Sequence, residues 1–462
     1  MIILSIPIYQ NSSDLADSAL ADWRELRLDY LEEPNQFPLS RIEKDQIITI
    51  RDQREGGINF CPLAAKFTYY QRAIASKNCL VDLEFKNYTA SIPAANLILS
   101  YHDFSENFDL PKLQNLILKS NQLSAKYLKI AVNIQSYSQF TILAKLIKQA
   151  NKPVILVGMG KLGKLSRLLY KHLGSVGTYI GLAAKPTASG QLSLEEAEIF
   201  ALATIEKTTQ LGGLIGGKQV YHSLGMKYYN KIFQEKSIDA CYLPWMVEDF
   251  ADFWQWLTIE KKMFYGFSIT MPHKAEISTQ LGIQAKFKAR NLYLPTSDQL
   301  HNTDALAFIK ATQYLKIKQT DIILIVGSGN TAETALATFS HYPNLLISAR
   351  NKTQANLLAQ KYGGDFRALD QLPKQIDLII NCTSLGMQQE DFLKETGLEN
   401  LFFSSSPIKV IDLPYSQKIT SLITLCQENH IPFVDGKLFW QWQAEKQLQL
   451  FVQVIHKRSK EK

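Results

Sequence analysis

The chain has 462 residues, of which 46% are hydrophobic and 20% charged, and its formal net charge at pH 7 is +7. This length predicts two or three domains, and the composition is typical of globular proteins. The charge is small for the length, and only residues 456–462 form a basic cluster, which we interpret as a solvated end. We therefore predict small anionic substrates and no nucleic-acid partner.

The cysteines and the N-terminus indicate a cytoplasmic protein. Five cysteines stand far apart and include no close pair, so they predict neither a disulfide framework nor a metal site. Residues 1–8 are apolar but follow no basic region, so we interpret them as a first strand and not as a signal peptide. No stretch approaches the length of about 18 apolar residues that a membrane span needs, so we expect no membrane partner.

Eight short apolar segments recur through the first 190 residues. Segments of helical length, such as 135–150 and 162–173, separate most of them. This alternation predicts an α/β fold, a compact (β/α)8 barrel of the TIM type. The predicted strands lie near residues 2–8, 25–31, 47–52, 79–85, 96–104, 127–133, 153–159 and 178–183.

Ionisable residues occupy alternate positions of several of these strands, as in the segments 25–29, 81–85 and 127–132. Successive side chains of a strand point to opposite faces, so one face is apolar and the other ionisable. Burying an unpaired charge costs on the order of several kcal/mol. A barrel interior that collects such residues is therefore a predicted active site, at the C-terminal ends of the strands.

These polar positions resemble class I 3-dehydroquinate dehydratase over about residues 1–209. The resemblance is carried by the segments 25–29, 51–57, 100–104, 129–130 and 190–191. It implies a Schiff-base lysine at Lys129 and a proton-transferring histidine at His102, which Glu55 would orient. It also implies that Glu25, Arg27 and Arg51 contact substrate hydroxyls and that Arg167 pairs with the substrate carboxylate. Thr187 and Gln191 would belong to a loop that closes over the site.

The chemistry expected of such a pair follows from general principles. Desolvation disfavours the charged form of a lysine, which can then attack a ketone as a free amine. The imine withdraws electrons, so the neighbouring C–H becomes acidic enough for a histidine to remove its proton. Loss of the β-hydroxyl as water completes the elimination, with the histidine as the returning acid.

The second half begins around Gly212, after a predicted helix ending near Gln210, and no long linker intervenes. Strands are predicted near residues 212–216, 240–243 and 266–270. A further apolar strand from residue 321 runs into a G-x-G-x-x-A turn and a helix, a pattern that lets the backbone approach a pyrophosphate. The predicted cofactor-binding turn comprises Gly327, Ser328, Gly329, Asn330, Thr331 and Ala332.

The strand that follows this turn, residues 345–350, ends in Arg350. An NAD-binding fold usually places an acidic residue there for the ribose hydroxyls, whereas an arginine accommodates a 2′-phosphate. The sequence therefore predicts NADP in preference to NAD.

The segments 220–225, 266–274, 290–291 and 302–304 resemble shikimate dehydrogenase, and the resemblance spans about residues 211–455. It implies a substrate lobe over 211–312, completed by 438–462, and a Rossmann NADP lobe over 313–437. It implies that Lys274 and Asp304 are catalytic and that Thr383 and Gly436 lie beside the cofactor. The implied substrate contacts are Ser223, Ser268, Thr270, Asn291, Tyr415 and Gln443.

One position departs from the pattern of this second family. The family usually carries a serine two residues after the first serine of the motif, whereas this chain has Ser223 followed by Gly225. A missing hydrogen bond to a bound carboxylate costs about 1–3 kcal/mol if nothing replaces it. Tyr228 or Tyr229 could supply the replacement.

Together these patterns predict a bifunctional enzyme that dehydrates 3-dehydroquinate to 3-dehydroshikimate and reduces this ketone to shikimate with NADPH. One alternative is a dehydratase fused to a quinate/shikimate dehydrogenase of altered specificity. Another is a non-catalytic sensor of these intermediates, which the presence of both catalytic pairs and the absence of a DNA-binding segment disfavour. The sequence predicts no oligomeric state.

Overall fold

The computed structural model describes residues 1–10, 18–188, 190–283, 290–387, 390–403, 408–415 and 419–460. It forms two compact units, Met1–Phe264 and Tyr265–Lys462. Among the described residues, no helix is both long and apolar enough to cross a membrane.

A nine-stranded parallel sheet dominates the first unit. Its order is β7-β6-β5-β4-β3-β2-β1-β8-β9, so the first seven strands are neighbours in chain order and β8 lies beside β1. All eight predicted strands are present. The strands are β1 (Ile2–Pro7), β2 (Trp23–Arg27), β3 (Gln46–Thr49), β4 (Leu80–Glu84), β5 (Leu97–Asp103), β6 (Tyr127–Asn133), β7 (Val154–Met159), β8 (Thr178–Gly181) and β9 (Leu192–Ser193).

The barrel prediction is confirmed in the direction and order of its eight strands, to which the structure adds the two-residue strand β9. In the described residues no ladder joins β7 to β8, although the Val176 amide donates to the Val154 carbonyl at 2.9 Å beside them. The helices of this part are α1 (Leu63–Lys77), α2 (Leu110–Ser120), α3 (Ser138–Ile147), α4 (Gly163–Leu168), α5 (Tyr170–Leu173) and α6 (Leu194–Ile199).

Two predicted helices differ from the structure. The helix predicted over 162–173 is interrupted at Leu169, which separates α4 from α5. The helix predicted to end near Gln210 ends at Ile199, because Ala201 adopts a left-handed conformation with φ of +48°. Residue 210 already opens the next strand.

The first unit continues beyond the barrel with β10 (Gln210–Gly216), α7 (Leu224–Glu235), β11 (Ala240–Met246) and α8 (Phe250–Ile259). The strands β10 and β11 pair in parallel. α8 packs on α3, where the Tyr137 ring lies 4.9 Å from the Phe253 ring and 5.3 Å from the Trp256 ring. The Asp252 carboxylate accepts hydrogen bonds from the Tyr137 and Ser138 amides, so a side chain of α8 caps α3.

The second unit opens with β12 (Phe264–Ile269), α9 (Glu276–Gln280), β13 (Leu292–Leu294), β14 (Gln299–His301) and α10 (Thr303–Tyr314). The strands β12, β13 and β14 pair antiparallel. They precede a parallel sheet of six strands.

That sheet has the order β17-β16-β15-β18-β19-β20, and apolar clusters cover both of its faces. From β15 the chain adds β16 and β17 on one side of the sheet and then β18, β19 and β20 on the other side. The carboxyl ends of β15 and β18 therefore flank a crevice of the kind that binds ligands in doubly wound folds. The elements are β15 (Ile323–Val326), α11 (Asn330–Phe339), β16 (Leu345–Ser348), α12 (Lys352–Tyr362), β17 (Asp365–Phe366), β18 (Leu378–Asn381), α13 (Phe392–Thr396), β19 (Lys409–Asp412), α14 (Ser421–Glu428), β20 (Phe433–Asp435) and α15 (Gly436–Lys460).

The predicted division into 1–209, 211–312 with 438–462, and 313–437 stays a prediction. All six strands of the Rossmann-like sheet, from β15 to β20, lie within the last of these ranges.

Candidate active sites

A cavity of about 290 Å³ lies within the barrel sheet. Its lining mixes ionisable side chains with apolar ones, among them Val157, Met159 and Tyr179. The nine residues predicted for the first site all line it: Glu25, Arg27, Arg51, Glu55, His102, Lys129, Arg167, Thr187 and Gln191.

Lys129 lies on β6 and is only 5% exposed. Its Nζ atom is 3.0 Å from Asp82 Oδ2, 3.6 Å from Glu25 Oε1 and 4.2 Å from the centre of the Tyr179 ring. From the sequence, desolvation was the only influence on the charge of Lys129 that could be predicted. The structure adds two carboxylates that attract the ammonium form, so the amine of the free protein is ion-paired.

The carboxylate of Asp82 is shared between two cations. Arg51 NH2 lies 2.7 Å from Asp82 Oδ2, the same oxygen that contacts Lys129, and Ser100 donates to Asp82 Oδ1 at 2.5 Å. Burial disfavours its ionisation, but the charges of Arg51 and Lys129 hold the pKa of Asp82 well below its usual value. Asp82 therefore remains an anion beside the amine.

The ion pairs continue from Arg51 away from the cavity. Arg51 NH1 is 3.3 Å from Glu84 Oε1, and the buried Lys66 Nζ is 2.6 Å from Glu84 Oε2. The sequence analysis assigned no role to Asp82, Glu84, Ser100 or Lys66. The alternating pattern of residues 81–85 was the signal that could have identified the two acids.

His102 and Glu55 form a hydrogen-bonded pair, with His102 Nδ1 3.0 Å from Glu55 Oε2. Burial lowers the pKa of His102 well below its usual value, and the charges of Arg51 and Lys129 add to this effect. Burial also raises the pKa of Glu55 to about 7, more than the attraction of Arg51 lowers it. The imidazole is therefore neutral near pH 7, while its partner is poised between two protonation states.

Arg167 is buried against the cavity and is 1% exposed. Its NH1 donates to the Tyr179 carbonyl at 3.4 Å, whereas its Nε and NH2 have no hydrogen-bond partner in the described part of the chain. Burial lowers the pKa of this guanidinium to about 10. Two unpartnered donors on a buried cation form an arrangement that a planar carboxylate would satisfy.

The segment carrying Thr187 and Gln191 is tied to the barrel interior. Gln191 accepts from the Thr187 amide at 3.0 Å, and the Thr187 hydroxyl donates to Ser5 at 2.8 Å. Ser5 in turn donates to Glu25 at 2.5 Å. Arg27, by contrast, makes a two-pronged contact of 2.8 Å with Asp29, which fixes the plane of its guanidinium.

A second group of predicted residues meets in the second unit. Lys274 Nζ donates to Asp304 Oδ2 at 2.8 Å. Asn291 Nδ2 donates to the other oxygen of Asp304 and to Gln443 Oε1, both at 2.9 Å. Tyr415 belongs to the same surroundings, because burial raises its pKa and the negative charge of Asp304 adds to the shift.

Ser268 is held by a residue that the sequence analysis missed. Its hydroxyl donates to Gln447 Oε1 at 2.5 Å, and Gln447 Nε2 donates to Thr303 at 3.0 Å. Gln447 stands one helical turn after Gln443 on α15, a spacing that could have indicated it. Thr270 follows β12 and is partly buried.

Ser223 lies in the first unit at the start of α7, where its hydroxyl accepts from the Gly225 amide at 3.2 Å. A Cβ atom on Gly225 would stand 3.2 Å from Tyr242 and 3.3 Å from Tyr229, whose rings stack 4.3 Å apart. The tyrosine pair therefore occupies the space into which a serine at this position would have to fit. Tyr229 is 2% exposed.

The predicted dinucleotide turn joins β15 to α11. Gly327 has a φ of +125°, and a side chain there would approach the Cys382 carbonyl, whereas the Cβ position of Gly329 faces open space. Small residues thus leave the N-terminus of α11 accessible to a phosphate. Ala332 is buried behind the turn, and the side chains beside it are partly buried: Ser328, Asn330 and Thr331.

The other predicted cofactor residues lie at the same edge of the Rossmann-like sheet. Arg350 follows β16 and is exposed. Thr383 follows β18 and donates to Asn381 at 2.6 Å. Gly436 starts α15, where a side chain would clash with the Leu413 carbonyl.

Models of two known protein families match separate parts of the chain. Residues 7–206 match the model of type I 3-dehydroquinase, and residues 215–290 match the shikimate dehydrogenase substrate binding domain.

Two relatives match across both regions. The bifunctional 3-dehydroquinate dehydratase/shikimate dehydrogenase of Arabidopsis thaliana is 24% identical over 93% of this chain and 77% of that protein. The shikimate biosynthesis protein AroDE of Chlamydia pneumoniae is 28% identical over 79% of this chain and 78% of that protein.

A solved structure of the dehydroquinate dehydratase and shikimate dehydrogenase from S. pombe AroM covers 95% of this chain and 93% of that chain. It is 17% identical with a TM-score of 0.42, and we draw nothing further from it. On these matches, the chain joins a region matched by the type I 3-dehydroquinase family to a region matched by the shikimate dehydrogenase substrate binding domain, and it is similar to the two relatives across both.

Proposed function

We propose that this chain dehydrates 3-dehydroquinate to 3-dehydroshikimate in the barrel and reduces that product to shikimate with NADPH in its second half. The observation that carries the first activity is the cavity in which a buried lysine, a neutral histidine and a buried arginine with two unpartnered donors face one another. The Arabidopsis relative is named for both activities, and the Chlamydia relative is named as a shikimate biosynthesis protein.

Dehydration begins when the Lys129 ammonium gives up a proton and its nitrogen bonds to the ketone carbon. Asp82 and Glu25 are carboxylates within 4 Å of this nitrogen. The carbonyl oxygen leaves as water, and a protonated imine forms. His102 then takes the proton from the adjacent carbon, which gives an enamine, and returns it to the β-hydroxyl, which leaves as water as the carbon–carbon double bond forms.

Hydrolysis of the resulting conjugated imine returns the free lysine and releases the enone product. Throughout these steps, Arg167 would hold the substrate carboxylate through its Nε and NH2 donors. Glu25, Arg27 and Arg51 would contact substrate hydroxyls, and Thr187 and Gln191 would belong to the segment that closes over the cavity.

Borohydride trapping tests the imine. Reduction of the chain in the presence of 3-dehydroquinate should add the substrate skeleton to Lys129, because a reduced imine no longer hydrolyses. Peptide mass spectrometry identifies the labelled lysine. Lys129→Met should lose both labelling and dehydration. Lys126→Met is the matched control, because Lys126 directly precedes the same strand and does not line the cavity. Labelling of another residue, or none, contradicts the proposal.

The state of Glu55 predicts the pH dependence of dehydration. Below pH about 7, protonated Glu55 donates to His102 Nδ1, so the ring proton lies on Nε2 and this nitrogen cannot act as a base. Above that pH, ionised Glu55 accepts from Nδ1–H and leaves Nε2 free. We therefore expect kcat/KM to rise with pH through about 7.

Glu55→Gln has no ionisation at this position, so it should remove that transition and lower kcat about 10- to 100-fold. Lys86 provides a control, since its Nζ lies 3.8 Å from Glu55 Oε1 and favours the anion. Lys86→Met should move the transition to higher pH without abolishing turnover. A profile that is unchanged in Glu55→Gln contradicts this role.

The residues of the second half fit a phosphorylated dinucleotide, since the glycine turn leaves the start of the ten-residue helix α11 open and an exposed arginine follows the next strand. The turn from Gly327 to Ala332 would hold the pyrophosphate, Arg350 the 2′-phosphate, and Thr383 and Gly436 would lie beside the nicotinamide portion. When bound, NADPH supplies hydride to the ketone carbon.

The protein's part in reduction is to supply a proton at the carbonyl oxygen. Lys274, held by Asp304 at 2.8 Å, can donate that proton while the carboxylate keeps the side chain in place. Asn291 donates one hydrogen bond to Asp304 and one to Gln443, and both amide side chains would bind ring hydroxyls. Ser268, Thr270 and Tyr415 are the further proposed substrate contacts of the second unit, and the contact predicted for Ser223 stays a prediction.

Lys274→Met should lower the rate of NADPH oxidation with 3-dehydroshikimate by about 10²- to 10⁴-fold, because it removes the proton donor. Dehydration of 3-dehydroquinate by the same variant should stay at the wild-type rate. Lys129→Met provides the matched reciprocal variant, which should retain reduction. Loss of both activities in either variant would mean that the two chemistries are not separate.

Gly225 favours one competing function, a dehydrogenase of altered specificity. We expect a higher kcat/KM for shikimate than for quinate, and for NADP than for NAD, because Ser223 retains a hydroxyl proton that it can donate and Arg350 matches a 2′-phosphate. Steady-state kinetics on all four combinations provide the measurement. A preference for quinate with NAD would establish the alternative, and binding without turnover would establish the sensor.

We also propose the three-part division given above and a cytoplasmic location. The matched ranges 7–206 and 215–290 support the boundary near residue 210. Within the described residues no disulfide bond joins any of the five cysteines, which fits a reducing compartment.

A further inference from the structure

Tyr179 covers one side of the reactive amine of the barrel. It lies on β8 and is 4% exposed, and the centre of its ring is 4.2 Å from Lys129 Nζ. The two carboxylates of Asp82 and Glu25 contact the same nitrogen. The ammonium is therefore surrounded by two anions and the π face of one ring.

The tyrosine is an unusual choice for this place. Its hydroxyl is buried and has no hydrogen-bond partner among the residues that the structure describes, an arrangement that generally destabilises the folded state. Burial raises the pKa of Tyr179 well above its usual value, and the anions Glu25 and Asp82 add to the shift. The phenol is therefore neutral throughout the working pH range, so its ring offers an uncharged π face to the amine.

We propose that Tyr179 is a positioning residue whose ring face stabilises positive charge on Lys129 Nζ, first as the ammonium and then as the protonated imine. This inference rests on the proposed dehydratase activity and deepens it. A cation at 4.2 Å from a ring centre lies well within the range of cation–π attraction, which is strongest where water is excluded.

The ring differs from the two carboxylates in one respect that matters for the reaction. A carboxylate can accept the proton of the ammonium or of the protonated imine, and proton loss from the imine would remove its capacity to withdraw electrons. A π face stabilises the same charge without accepting the proton. The ring thus favours the cationic form that activates the adjacent C–H for His102.

Three variants separate the ring from the hydroxyl. Tyr179→Leu and Tyr179→Met remove the π face but keep an apolar side chain, whereas Tyr179→Phe removes only the hydroxyl. We expect Tyr179→Leu and Tyr179→Met to lower kcat for dehydration about 10- to 100-fold, and Tyr179→Phe to lose less than about threefold. Tyr9→Leu is the control, because Tyr9 lies against Lys185, 4.8 Å from its Nζ and outside the cavity, and should leave dehydration unchanged.

A second measurement distinguishes this role from simple packing. At one fixed pH and without substrate, an amine-directed reagent should modify Lys129 faster in Tyr179→Leu than in the wild type, because the ammonium has lost part of its stabilisation. Faster labelling together with slower turnover is the expected signature. A variant whose barrel packs badly would lose turnover without it, and Tyr179→Met serves if Tyr179→Leu does not fold.

The outcomes also separate this inference from the activity on which it rests. If wild-type Lys129 is not trapped by borohydride with 3-dehydroquinate, the imine mechanism itself is wrong. If it is trapped, but Tyr179→Leu and Tyr179→Met turn over like the wild type, the ring has no such role. If Tyr179→Phe loses as much as Tyr179→Leu, the hydroxyl and not the π face is the functional group, and the proposal is overturned.

Discussion

The contact between Lys129 Nζ and the Asp82 carboxylate determines how the whole barrel interior can be built. A buried amine needs a counter-ion, and Asp82 provides it only because Arg51 keeps that carboxylate ionised. Arg51 is balanced in turn by Glu84, and Glu84 by Lys66. The charges alternate in sign from α1 to the cavity, so none of the five is left without an opposite neighbour.

This arrangement accounts for the two kinds of group that the reaction needs in one small cavity. Burial, together with the positive charges of Arg51 and Lys129, keeps His102 neutral, and a neutral imidazole is what a base requires. The same interior keeps Glu55 close to the midpoint of its ionisation. Acid and base functions are therefore set by the surroundings of each group, since none of these residues has an unusual chemistry of its own.

Much of this fold could be predicted from the sequence because strand patterns are local. Every barrel strand was located from its apolar residues, and the motifs around Lys129 and Lys274 identified residues that the structure brings into contact. The break at Leu169 could not be predicted, because neither glycine nor proline marks it. Tyr179 and Gln447 were missed because an apolar strand residue and a helical glutamine gain their roles only from contacts across the fold.

The cap that Asp252 places on α3 has a consequence for how such a fusion can evolve. The start of α3 relies on a carboxylate from a later segment, and Tyr137 lies among the aromatic rings of that same segment. Severing the chain near residue 209 would therefore expose the start of α3 and the Tyr137 ring. Separation back into two genes would then require new surface residues on the barrel, so the joining of the two enzymes becomes difficult to reverse.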